Sequence, residues 1–135
     1  MKYMILIYGS QRDYETMAGK ANDKPAWSAE DVAAMASFMQ SFTKDLMESG
    51  ELVETRGLTA PVHARRIQLQ GGVQAVTDGP YPETQEVLAG FWIVDCESFD
   101  RATEIAARLA ASPDPNGVTA VDVRPIADSI AELDV

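Results

Sequence analysis

Cysteine, histidine and clustered positive charge are scarce in this chain. Its 135 residues include one cysteine, Cys96, and one histidine, His63. A single cysteine excludes an intramolecular disulfide, and nothing demands an oxidising compartment. No Cys/His spacing suits zinc, no glycine-rich loop suits a phosphate, and no Ser/His/Asp arrangement suits a nucleophile, so no cofactor is expected. Lysine and arginine total 11 against 21 aspartates and glutamates, a formal net charge of -10. The longest basic cluster is Arg65-Arg66. A surface this negative repels nucleic-acid backbones and anionic lipid, so direct nucleic-acid binding is not expected. The longest apolar opening, Tyr3 to Tyr8, stops at Gly9-Ser10. It is too short to span a bilayer, and no small-residue cleavage site follows it. No membrane association and a cytoplasmic location are the resulting expectations.

The chain has the length for one hydrophobic core, and its apolar fraction of 46% and charged fraction of 24% are those of a globular domain. Tyr3 to Tyr8 predicts a central strand. Gly9 to Trp27 is polar and rich in turn formers, including Asn22, Asp23 and Pro25. It predicts a long loop able to lid a pocket, with Tyr14, Met17 and Trp27 as anchors. Ser28 caps a helix that carries Glu30 and Asp31 in its first turn. Val32, Met35, Ala36, Met39, Thr43, Leu46 and Met47 form one apolar stripe of that helix. Phe38 and Phe42 widen it to a second face, and Gly50 ends it. Strands are predicted at Leu52 to Leu58, Arg65 to Gln70 and Val73 to Thr77, the last two joined by the hairpin signal Gly71-Gly72. Val87 to Val94 is a further buried strand. Gly90 within it marks a bulge or a close backbone approach. Ser98 caps a second helix, stopped by the stretch from Ser112 to Gly117, and a last strand ends at Arg124-Pro125. Cys96 is expected as a small buried hydrophobe.

This order predicts an α+β fold: a ferredoxin-like, split-βαβ sheet with both helices on one face. Ile5, Ile7, Phe91 and Ile93 cannot all point the same way as Leu6, Trp92 and Val94. The sheet therefore carries a second apolar face, and sheet-on-sheet packing in a homodimer is the simplest cover.

The segment from Val76 to Phe91 contains Thr77-Asp78-Gly79-Pro80-Tyr81-Pro82-Glu83-Thr84-Gln85-Glu86 and then a glycine-containing strand. It resembles the signature of the DGPF, or YCII-related, family, as do Tyr3 to Tyr8 and Val123 to Ile126. The usual Phe is replaced by Tyr81 and the usual Lys by Gln85. The resemblance covers residues 1–126 as a single domain and leaves 127–135 as an acidic tail. It implies a dimeric α+β barrel with a pocket near the Asp-Gly-Pro loop. A His/Asp pair proposed as catalytic in the wider superfamily is matched here by Asp78 only, because His63 lies outside the first strand. Some members are associated with extracytoplasmic-function sigma factors, which implies a regulatory protein partner.

Several residues carry alternative readings. Asp78 is either a general base or an Asx turn that fixes its own loop. Asp78, Glu83 and Glu86 are either oxygen ligands for a divalent cation or a solvated acidic loop. Tyr81 either stacks on an aromatic ligand or packs the loop, and His63 is either a proton shuttle or a surface residue. Arg124 either binds an anion or pairs with an acidic neighbour. One functional expectation follows: a pocket built from Asp78, Tyr81, Glu83 and Arg124, with His63, binds or transforms a small acidic, cyclic or aromatic molecule by acid–base chemistry. The other is a non-enzymatic module whose acidic surface meets a protein partner.

Overall fold

The computed structural model describes residues 1–20 and 25–134. The apolar opening forms β1 (Lys2–Gly9), and the equally apolar VLAGFWIVD forms β5 (Val87–Asp95) beside it. With β2 (Leu52–Gly57) and β6 (Val121–Pro125) they make an antiparallel sheet in the order β2-β5-β1-β6. Between β1 and β2 lie α1 (Gln11–Met17) and α2 (Ala29–Glu48), and α3 (Phe99–Ala110) joins β5 to β6. This is the predicted ferredoxin-like α+β arrangement.

The side chains of Ser28 and Ser98 accept from the backbone N–H groups of Asp31 and Arg101, as their sequence positions predict. The core lies where α2 and α3 cover one sheet face. Phe42 and Leu46 of α2 and Ala102, Ile105, Ala106 and Leu109 of α3 meet Tyr3, Ile5, Trp92 and Val94. Phe42 packs edge-on against Trp92, with ring centroids 5.5 Å apart. The buried side of α2 is thus the one bearing Phe38 and Phe42. Val32 and Met47, placed by periodicity on the main stripe, are exposed. Cys96 is buried, and burial pushes its thiol pKa up.

The opposite sheet face bears two cross-strand rows. One runs Glu54–Ile93–Met4–Arg124, the other Arg56–Phe91–Leu6–Asp122. Four half-buried apolar side chains are therefore flanked on each side by one positive and one negative residue. A bulge at Ala89 offsets β1 from β5 after Ile7, and a Cβ on Gly90 would sit 3.0 Å from the Arg56 carbonyl oxygen.

Two further features differ from the sequence-based expectation. The stretch from Gly9 to Trp27, predicted as loop, contains α1. Its N-cap Ser10 and Asp13 exchange reciprocal side-chain-to-backbone hydrogen bonds. Positions 21–24 of that stretch, including Asn22 and Asp23, lie outside the described residues. The second feature is the hairpin of β3 (Arg65–Gln70) and β4 (Val73–Asp78), which forms a separate two-stranded sheet. Gly71 and Gly72 turn it with φ of 58° and 81°, the paired left-handed values that a tight two-residue hairpin needs. Ile67, Leu69 and Val76 share one face of it and are 61%, 78% and 54% exposed, so that face is left largely open by the described residues.

The start of β2 and α3 are joined by Arg101, whose Nη2 and Nε reach the Glu51 carboxylate at 2.8 and 2.9 Å. These bonds hold Glu51 below its ordinary pKa of 4.5. A lowered carboxylate pKa contributes stability above the unfolded value, and that contribution is lost as pH falls through the folded value. Glu51→Gln is therefore expected to cost about 1 kcal/mol at neutral pH, the upper end for a partly exposed pair. In urea titrations the gap from the parent protein should close as the pH drops below 4.5. A gap that stays constant to acid pH would contradict this account.

Candidate functional site

The sequence-predicted site residues do not converge. Asp78, at the end of β4, pairs with Arg65 across the hairpin at 2.6 Å, with both side chains largely exposed. Glu83 accepts from Arg12 Nη2 at 2.8 Å and Nε at 3.1 Å. Tyr81 lies beneath the Arg66 guanidinium, 5.1 Å from ring centroid to Cζ, so a cation already occupies one face of its ring. His63 is exposed at the end of a 3-10 turn, Pro61–His63. Only His63 and Tyr81 come together: both line a cavity of about 300 Å³ at the base of the hairpin, with Leu58, Val87 and Leu88. Arg124 lies on β6 opposite Met4, on the outer sheet face, and lines neither this cavity nor the larger one. Among the described residues no group of three or more His, Cys, Asp or Glu side chains is placed to hold a metal ion. Asp78, Glu83 and Glu86 are thus not gathered into an ion site.

A larger cavity, about 340 Å³, opens at the end of β1 behind α1. Its volume falls in the range of roughly 300–1,000 Å³ typical of small-ligand sites. Ile7, Met35, Met39 and Leu109 come from the sheet and the two long helices, and Tyr14, Met17 and Trp27 come from α1 and the segment after it. Glu86, Asp114 and Thr119 add polar groups. Tyr14, Met17 and Trp27 are the anchors predicted for the first long connection. The pocket they wall is a different one from the Asp-Gly-Pro pocket.

The wall is held by the motif loop. The Arg12 backbone N–H donates to the Glu83 carbonyl at 3.1 Å, beside the Arg12–Glu83 ion pair. Gln11 Oε1 accepts from the Val62 N–H at 2.9 Å. The Tyr14 hydroxyl donates to the Leu58 carbonyl at 2.8 Å and reaches the Ala89 carbonyl, at the β5 bulge, at 3.4 Å. The Trp27 N–H donates to the Thr16 carbonyl at 3.0 Å, bringing the returning chain onto α1. Gly79 supports the loop from the other side. Its φ is +57°, its N–H donates to the Ala64 carbonyl at 2.8 Å, and a Cβ there would sit 3.3 Å from the Val62 carbonyl oxygen. The Asp-Gly-Pro-Tyr-Pro-Glu stretch thus ties hairpin, 3-10 turn and α1 together.

The electrostatics suit binding more than proton transfer. The Tyr8 hydroxyl donates to Asp122 Oδ2 at 2.7 Å, and this bond, with burial, raises its pKa. Burial raises that of Tyr14. Both phenols stay protonated at neutral pH and already donate within the protein. Sequence reasoning missed α1 as a helix and Arg12 as the partner of Glu83. The available signal was the Ser10-x-x-Asp13 spacing of a reciprocal cap.

A mixed α+β sheet domain with an apolar cavity at the end of its first strand is the class that fold and site define. The model of the YCII-related domain family matches residues 1–127, and the chain belongs to that family, for which DGPF is a synonym. An uncharacterised protein of Rhizobium meliloti (strain 1021) is 31% identical over 127 residues, which is 94% of this chain and 93% of that protein. Among the described residues no helix is long and apolar enough to cross a membrane.

If the motif loop holds the wall, Glu83→Ala should loosen α1 alone. Hydrogen exchange at the α1 amides should rise by about fivefold, with global stability falling by less than about 1 kcal/mol. Unchanged exchange in α1 would contradict the clamp.

Proposed function

We propose that this YCII-related domain binds a small ring-shaped molecule in the cavity behind α1, without a cofactor. The observation that carries the reading is the cavity itself: apolar side chains from both long helices and from β1, closed by a wall pinned to the motif loop. Chemistry, if the bound molecule undergoes any, would not run through an Asp78/His63 pair, because Asp78 is engaged with Arg65 and His63 lines the other cavity. Benzyl alcohol, a neutral ring of suitable size, is expected to raise the melting midpoint by a few degrees at concentrations well above its Kd. Met39→Trp, which fills the cavity, should abolish the response. An equal response in both proteins, or none in either, would overturn the reading.

The same reading takes the domain as a homodimer joined through the outer sheet face. A second copy turned about a two-fold axis along the strands sets Glu54 against Arg124 and Arg56 against Asp122, with the apolar rows between them. Such a face is complementary to itself, as a two-fold interface requires. Light scattering at micromolar concentration should give twice the monomer mass, and Phe91→Lys should give the monomer. A monomeric parent protein would contradict this.

A regulatory, protein-binding role rests on a different observation, the open apolar face of the hairpin at Ile67, Leu69 and Val76 on an acidic chain. Under that reading Leu69→Asp releases the partner and leaves the small-molecule response intact.

A further inference from the structure

We propose that the ligand of the α1 cavity is an organic cation: a small apolar body carrying one protonated amine. The inference rests on reading this cavity as a ligand site and adds the charge of what fills it. The floor and walls are apolar, from Ile7, Met35, Met39 and Leu109 to Trp27. The charged groups among the described lining residues are Asp13, Glu86 and Asp114, with no lysine, arginine or histidine.

Two of these carboxylates have structural duties. Asp13 accepts from the Ser10 N–H at 2.9 Å in the α1 cap, and Asp114 accepts from the Asn116 N–H at 2.8 Å in its own turn. Glu86 is different. It is exposed, it sits just before β5, and its hydrogen-bond partner among the described residues is the Thr119 hydroxyl, donating to Oε1 at 3.3 Å. That long bond leaves the Glu86 carboxylate with most of its acceptor capacity at the cavity mouth. An ammonium group placed there gains a charge-assisted hydrogen bond, while its apolar body lies against the methionines. The rings of Trp27 and Tyr14 favour a cation too. A carboxylate ligand would enter among three like charges. The small organic acids suggested by the sequence are therefore the class this lining opposes.

Three molecules with one ring and different charge separate the possibilities: benzylamine, benzyl alcohol and benzoate. Each is titrated into the intact protein and into Glu86→Gln, and affinity is read from the methyl NMR shifts of Met35 and Met39. Benzylamine should bind about threefold or more tightly than benzyl alcohol, the gain expected of a solvent-facing ion pair, with benzoate weakest. Glu86→Gln should bring benzylamine to the affinity of benzyl alcohol and leave the alcohol unchanged. Added salt should weaken the amine alone. Benzoate binding as tightly as benzylamine, or an amine preference that survives Glu86→Gln, would overturn the inference and leave the cavity reading standing. If none of the three moves either methyl group, both fail.

Discussion

The Arg12–Glu83 contact is the constraint on which the site depends. A seven-residue helix has little stability of its own, because its nucleation cost is spread over few hydrogen bonds. α1 persists at this position because its first turn is bonded, through side chain and backbone, to the loop before β5. The ion pair is solvent-facing and modest in energy. Its effect is local: it holds α1, whose Tyr14 and Met17 wall the cavity, across the end of β1. The Tyr14 hydroxyl adds a second attachment, donating to the Leu58 carbonyl at 2.8 Å just after β2, beside the bulge at Ala89.

This arrangement gives the Asp-Gly-Pro-Tyr-Pro-Glu stretch a physical meaning. Four of its six residues tie one part of the structure to the next. Asp78 closes the hairpin through Arg65, and Gly79 takes a left-handed turn against the Val62 backbone. Tyr81 packs under Arg66, and Glu83 reaches α1. A sequence motif that dense in carboxylates and aromatics invites a catalytic reading. Its residues shape a wall for a cavity that the segment from Val76 to Phe91 borders at Glu86 and Ala89.

The sheet, both long helices and the hairpin were legible in the sequence because local signals agreed with tertiary packing. Ser28 and Ser98 cap where they should, Gly71-Gly72 turns where it should, and the apolar runs of β1 and β5 pair. The orientation of α2 was less legible. Val32 and Met47 share the heptad-like spacing of the core residues, and it is tertiary packing, including Phe42 against Trp92, that turns Phe42 inward. α1 was hidden because the turn formers that follow it, Gly19, Asn22, Asp23 and Pro25, outweighed its short cap signal. The site was legible in part: Tyr14, Met17 and Trp27 do wall a pocket. Its location was not, because proximity along the chain to Asp78 says nothing about which carboxylate faces the end of β1. That is a matter of sheet order, which places β5 and therefore Glu86 beside β1.

The central claim is that a ligand-sized apolar space lies behind a fixed α1 wall. Diffraction from crystals held under xenon pressure tests it most directly, because xenon collects in apolar cavities. The account predicts a xenon site among Ile7, Met35, Met39 and Leu109. Xenon found only at the base of the hairpin, or nowhere in the molecule, would contradict it.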